Sequence, residues 1–313
     1  MIQTTIETHA LSILKGNENF SFSNEPDLYE HFKKHFVKFI DNTDGVNPAA
    51  KKLIRIPKAK KQKPFWGYDD SQRIIYGVVK SGIYDKIYDI ADIRDKDYIL
   101  TTKKSNAVMK PFFYFIKIPR NHNKALLILE RVENDGIYSI FSTILKLFLQ
   151  NTFIQGKYEV KKESIITNEY LKELNEGVYK SISMKVLSLP KDIADRYFSQ
   201  ELETENFSIE LKIKFKNAKN EQTKIKNLIR TNALITSVDM NGLFADAKKS
   251  LTSTFGNTNK TRTYHLNEEN REMIRPYYDL EVEENDEGFS NFDSILGTIQ
   301  NFINDNTEFQ IFN

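Results

Sequence analysis

The sequence predicts an α+β protein: mixed or antiparallel sheets with packed amphipathic helices, not a doubly wound sheet. Three observations carry this. Phe207, Ile209, Leu211, Ile213 and Phe215 alternate with polar residues at the strand period of two. Apolar residues recur at helical spacing in three segments, led by Leu28, Ile137 and Ile295. Strand and helix signals do not alternate as βαβ units, which a doubly wound sheet would require.

Taken in order, residues 2–13 read as a strand. Asn24, Glu25, Pro26 and Asp27 start a helix whose apolar stripe is Leu28, Phe32, Phe36, Phe39 and Ile40. Residues 41–48 read as a loop and 52–56 as a short strand. Segments 72–80 and 83–93 are β-rich, and 98–102 is a further strand candidate. Residues 111–118 and 125–131 flank an Asn-His-Asn turn and form a hairpin. Ile137, Ile140, Phe141, Ile144, Leu145 and Phe148 then mark an amphipathic helix.

A strand follows at 158–166, a helix at 168–175 and a strand at 181–187. The alternating strand at 207–216 leads to a helix near 222–230. A helical or looped stretch is expected at 243–251, a strand at 262–266, and a closing helix at 293–303. The acids from Asp279 to Glu287 read as a solvated loop, without the spacing of a calcium-binding loop. A boundary at 155/156 would separate an N-terminal α+β domain, 1–155, from a C-terminal one, 156–313, with an acidic end.

The 313 residues carry 45 Lys and Arg against 43 Asp and Glu, with 12% aromatics. That balance fits a folded globular chain. The absence of cysteine excludes disulfide scaffolds, thiolate zinc sites and cysteine nucleophiles. The first residues lack the basic flank of a signal peptide, and the most apolar stretch, 137–153, is too short and polar to span a bilayer. A cytoplasmic protein without membrane insertion is expected.

Charge is unevenly distributed. No Lys or Arg follows Arg275, whereas nine acids do, so residues 1–275 carry a net +11. Two basic clusters dominate. The first is Lys51, Lys52, Arg55, Lys58, Lys60, Lys61 and Lys63, followed by Phe65, Trp66 and Tyr68. The second is Lys212, Lys214, Lys216, Lys219, Lys224, Lys226 and Arg230, diluted by Glu221. Such density suits phosphate neutralisation. Arginine, the usual bidentate reader of guanine, is scarce in both clusters, which favours backbone contacts over base readout.

Other constellations are thin. His31 and His35 stand four apart on a helix, without the glutamate of a zincin motif or an evident third ligand. Glu210-x-Lys212, with Asp192 or Asp195 upstream, has the form of a Mg²⁺-dependent nuclease site. Glycine-rich phosphate loops and the nucleophile-elbow motif are missing from the sequence. No catalytic residue, metal site or cofactor is assigned.

The order of the hairpin and helix from residue 111, the segment 207–229 and the segment 251–272 resembles the A component of the lambda Rex exclusion system and related phage-defence proteins. That resemblance implies a non-enzymatic, dimeric DNA-binding protein that senses infection and signals to a protein partner, with Lys212, Lys214, Lys216, Lys219, Lys224 and Lys226 facing DNA. The expectation is therefore a homodimer that binds the backbone of double-stranded DNA through its lysine clusters. The alternatives are the Mg²⁺-dependent nuclease and a protein-interaction module with no nucleic-acid role.

Overall fold

The structure is a computed structural model describing residues 1–22, 27–43, 45–49, 51–57, 65–95, 97–120, 122–133, 135–153, 156–176, 178–186, 209–215, 221–224, 248–254, 261–266 and 276–312. The fold is α+β and β-rich, and among the described residues every strand pairing is antiparallel. Its described strands are β1 (Ile2–Lys15), β2 (Glu18–Asn19), β3 (Val46–Asn47), β4 (Lys52–Arg55), β5 (Trp66–Asp69), β6 (Ile74–Ile83), β7 (Asp89–Ala91), β8 (Ile99–Thr101), β9 (Lys110–Lys117), β10 (Lys124–Val132), β11 (Asp135–Gly136), β12 (Tyr158–Ser164), β13 (Val178–Val186), β14 (Ile209–Lys214), β15 (Lys248–Thr254), β16 (Thr261–Leu266) and β17 (Tyr277–Val282). The longer helices are α1 (Leu28–Asn42), α2 (Tyr138–Thr152), α3 (Asn168–Glu176) and α4 (Phe292–Asp305). Among the described residues no helix is long and apolar enough to cross a membrane.

Two compact units result: residues 1–165 with 277–313, and residues 166–276. Since 277–313 return to the first unit, a single cut such as 155/156 does not describe this division.

The first unit is built on β1. One edge of β1 pairs with β10 from Thr5 to Ser12. Its other edge is shared: Ile2–Glu7 pair with β17, and His9–Lys15 pair with β12. The join between them is sealed at Thr8. The Ile165 amide donates to the Thr8 carbonyl at 3.1 Å, while the Thr8 and Tyr278 hydroxyls both donate to the Ile165 carbonyl at 3.0 Å. The main sheet continues through β10, β9, β6, β4 and β3.

The expected hairpin is present, with Leu126 opposite Lys117. Beyond Ile83, the last residue of β6, the stretch 83–93 contributes only the short β7, which pairs with β8 in a separate two-stranded sheet.

Both faces of the main sheet are apolar and covered. On one, Leu11, Tyr114, Ile116, Leu127 and Leu129 pack with α1 and α2. Phe36, fully buried, sits among the rings of Phe32, Tyr114, Phe141 and Phe148 at centroid distances of 5.2 to 6.1 Å. On the other, Ile6, Phe113, Phe115, Ile128 and Tyr278 are buried, as are Ile295, Ile299 and Ile303 of α4.

Helix α1 begins where the sequence indicates. The Asp27 carboxylate accepts from the Glu30 amide at 3.1 Å, the usual way an N-cap satisfies a free helical donor. Arg73 clamps the same carboxylate with two bonds of 2.8 and 3.0 Å. Burial alone would raise the Asp27 pKa, but the Arg73 bonds and helix amides hold it below the usual value.

Two expectations change. Residues 248–251, read as helix or loop, belong to β15. The expected acidic loop is also wrong at its start, because residues 277–282 form β17. There Tyr278, Leu280 and Val282 are buried while Asp279 and Glu281 are exposed. The density of acids hid an alternation of period two that suits a half-buried strand. Beyond it, Asn285 organises a tight turn through its side chain and a bond from the Gly288 amide, with Gly288 at φ 80.

Because β17 fills half of one edge of β1, truncation after Pro276 should abolish cooperative unfolding of the first unit, read by urea titration of near-UV circular dichroism. Phe36→Ala should keep the fold but cost about 3–5 kcal/mol, the usual cost of emptying a buried phenylalanine site, read as a lowered urea midpoint.

Candidate nucleic-acid interface

The second unit holds a four-stranded antiparallel sheet in the order β14, β13, β15, β16. In β14, Lys212 and Lys214 are exposed while Leu211 and Ile213 are half-buried. Directly opposed residues of an antiparallel pair share a face, so the register sorts the whole sheet.

One face contains the rows Lys214–Ser181–Thr252–Thr263 and Lys212–Ser183–Ser250–His265, with a third row Glu210–Lys185–Lys248. The other face contains Ile213–Ile182–Leu251–Tyr264 and Leu211–Met184–Lys249–Leu266. The polar face thus gathers four lysine positions, one histidine, five serine or threonine positions and a single acid. Ser181, in its first row, is buried.

Cations and hydroxyl donors are the groups that contact phosphate and sugar. Lys185, Lys248 and His265 were not singled out in the sequence because they lie far from the clusters along the chain. Only strand register gathers them. The available hint was the alternation of Ser181, Ser183 and Lys185 with Ile182 and Met184.

One other member of the second cluster, Lys224, is among the described residues. Lys224 is exposed but paired with Glu221 at 2.9 Å, and that bond raises its pKa. Lys216, Lys219, Lys226 and Arg230 lie outside the described residues.

The described members of the first cluster, Lys51, Lys52 and Arg55, bond within their own unit. Lys51 pairs with Asp85, and Lys52 donates to the Gly136 carbonyl at 2.9 Å. Arg55 donates to the Ile54 carbonyl at 3.0 Å. Lys58, Lys60, Lys61 and Lys63 lie outside the described residues. Of the neighbouring aromatics, Tyr68 is exposed beneath the Lys33 ammonium, 4.3 Å from the ring centroid.

Glu210 and Lys212 fall on the same face of β14, whereas Asp192 and Asp195 lie outside the described residues. Among the described residues no group of three or more His, Asp or Glu is placed to hold a metal ion.

The His31 and His35 rings lie tilted to one another at a centroid distance of 4.9 Å, and His31 Nε2 lies 3.0 Å from the Thr152 hydroxyl. That hydroxyl donates its one proton to the Phe148 carbonyl at 2.6 Å. It therefore accepts from His31, which places the ring proton on Nε2. Burial first, and then the charge of His35, lower the His31 pKa to about 4.

The unfolded chain binds this proton near pH 6.5, so the stabilising effect of the neutral ring is complete above that value and is lost as pH falls toward about 4. With the ring half in solvent, the discounted effect is on the order of 1 kcal/mol. His31→Gln, which retains a donor for Thr152, should flatten the dependence of urea-unfolding stability on pH between 7 and 5.

No protein-family model, curated protein or solved structure matches the chain.

Proposed function

We propose that the chain is a non-enzymatic, largely sequence-independent binder of double-stranded DNA, acting through the polar face of the four-stranded sheet. The observation that carries this reading is the register, which lines up Lys212, Lys214, Lys185 and Lys248 with hydroxyl residues and only one acid. Lysine is a compact point charge and neutralises phosphate without demanding a base edge. The resemblance to Rex-type exclusion proteins supports a homodimer in the bacterial cytoplasm, serving anti-phage defence with a protein partner.

Glu210 beside Lys212 on one strand face keeps the Mg²⁺-dependent nuclease as the second reading. The same experiment separates the two. A labelled random-sequence duplex is titrated by fluorescence anisotropy across a salt series with Mg²⁺ present, and each sample is then run on a denaturing gel. Intact DNA should bind with log affinity falling linearly with log salt. The Lys212→Gln, Lys214→Gln double variant should reduce that slope by about 2. No binding at low salt would overturn the DNA reading in favour of a protein-interaction role. Cut DNA, protected in Glu210→Ala, would establish the nuclease instead.

A further inference from the structure

The first unit contains a cavity of about 520 Å³. It lies against the face of the main sheet that carries Val78, Phe113 and Glu130, and is closed by the turn before α4 and the start of that helix. The volume is in the range of small-molecule sites.

Its walls are largely apolar, and four of the lining residues are phenylalanines. Phe65, Phe113, Phe289 and Phe292 line it, with the Phe113 and Phe292 rings 5.6 Å apart and tilted edge to face. Its cations are offset: besides Glu130, the acids Asp286 and Glu287 match Arg55 and Lys80, with Lys80 and Glu287 3.6 Å apart.

Of the polar residues in its lining, Glu130 is the buried one. Glu130 is 4% exposed, and its carboxyl is held from three directions. Oε1 accepts from the Thr4 hydroxyl at 2.8 Å and the Ser290 hydroxyl at 2.5 Å, and Oε2 accepts from the Phe113 amide at 2.8 Å. A carboxylate offers about four acceptor positions, so Oε2 keeps one. In the ionised group that position accepts a hydrogen bond, and in the protonated group it can donate one. Burial pushes the Glu130 pKa up, against the pull of its three donors.

These features select a ligand class. A free phosphate or other compact anion finds no excess positive charge here. An acyl chain would strip water from Glu130 without replacing its lost hydrogen bond, which costs free energy. A flat, uncharged heterocycle satisfies both needs, since its faces pack on the phenylalanines and its polar edge meets Oε2. Nucleobases carry donors and acceptors on one edge, so they suit either protonation state. We propose that this cavity binds the base of a free nucleoside, held by the phenylalanine walls and by one hydrogen bond with Glu130.

The test is isothermal titration of the full-length chain with adenosine, guanosine, cytidine and uridine in turn, with ribose as the control. At least one nucleoside should bind saturably, with a Kd on the order of 10 μM, and ribose should not. Val78→Phe, which fills the cavity from a half-buried position, should weaken binding at least tenfold. Glu130→Gln should change the preference among the four bases. Both should leave DNA binding by the other unit intact, so this inference and the DNA reading can fail separately. No saturable binding up to about 1 mM, equal binding of ribose, or unchanged affinity in a folded Val78→Phe protein would each overturn the proposal.

Discussion

The first unit depends on the continuity of β1. A strand of 14 residues is long for a globular protein, and its length here serves two partners on one edge. Neither β12 nor β17 alone covers that edge. Left open, either half would expose unpaired backbone groups, which are costly when buried and adhesive when exposed. The Thr8–Ile165–Tyr278 bonds close the only place where the two partners could part. They also explain why residues separated by more than a hundred positions belong to one unit: Ile165 and Tyr277 are neighbours along β1, and the second unit is an excursion of the chain between them.

With β1 fixed, both faces of the sheet must be covered, and the sequence provides different covers. The face beneath α1 and α2 is filled by phenylalanines whose edge-to-face contacts add to the area they bury. Arg73 contributes from a distance in the chain. It joins the Asp27 cap of α1 to the Ile118 carbonyl at the end of β9, and so fixes the helix start against the sheet. The opposite face is covered by α4, whose start is set by Asn291 accepting from the amides of residues 293 and 294. The acidic end of the chain is therefore structural before it is electrostatic. Its acids point away from a strand and helix that the core needs.

Elements governed by local pattern were legible in the sequence. The helices at Leu28, Ile137 and Ile295 and the strands of the 111–131 hairpin all show their buried face as a simple period. Beyond that hairpin, what pairs with what was not legible. Strand β17 carries the same alternation as β14, but its acids suggested a solvated loop. The two strands that share one edge of β1, β12 and β17, lie more than a hundred residues apart in the sequence, so no local window relates them. The candidate DNA face shows the same limit. Lys212 and Lys214 were visible as a dense run, whereas Lys185, Lys248 and His265 join them only through hydrogen-bonded register.

That distinction bears on how charge density should be read. A run of cations in sequence is not yet a surface. In the first cluster, Lys51, Lys52 and Arg55 are each held by a neighbouring oxygen, and a cation so engaged must give up that contact before it meets a phosphate. On β14 the strand period separates successive lysines from their apolar neighbours, and antiparallel pairing sets hydroxyl positions beside them. Repulsion between the exposed Lys212 and Lys214 on one face disfavours the isolated sheet by a modest amount at physiological salt, since solvent and counterions screen exposed charges. A polyanion relieves that repulsion and releases its own counterions at the same time. The arrangement is therefore better suited to a partner with evenly spaced negative charge than to a single acidic side chain, which would neutralise one lysine and leave the others opposed.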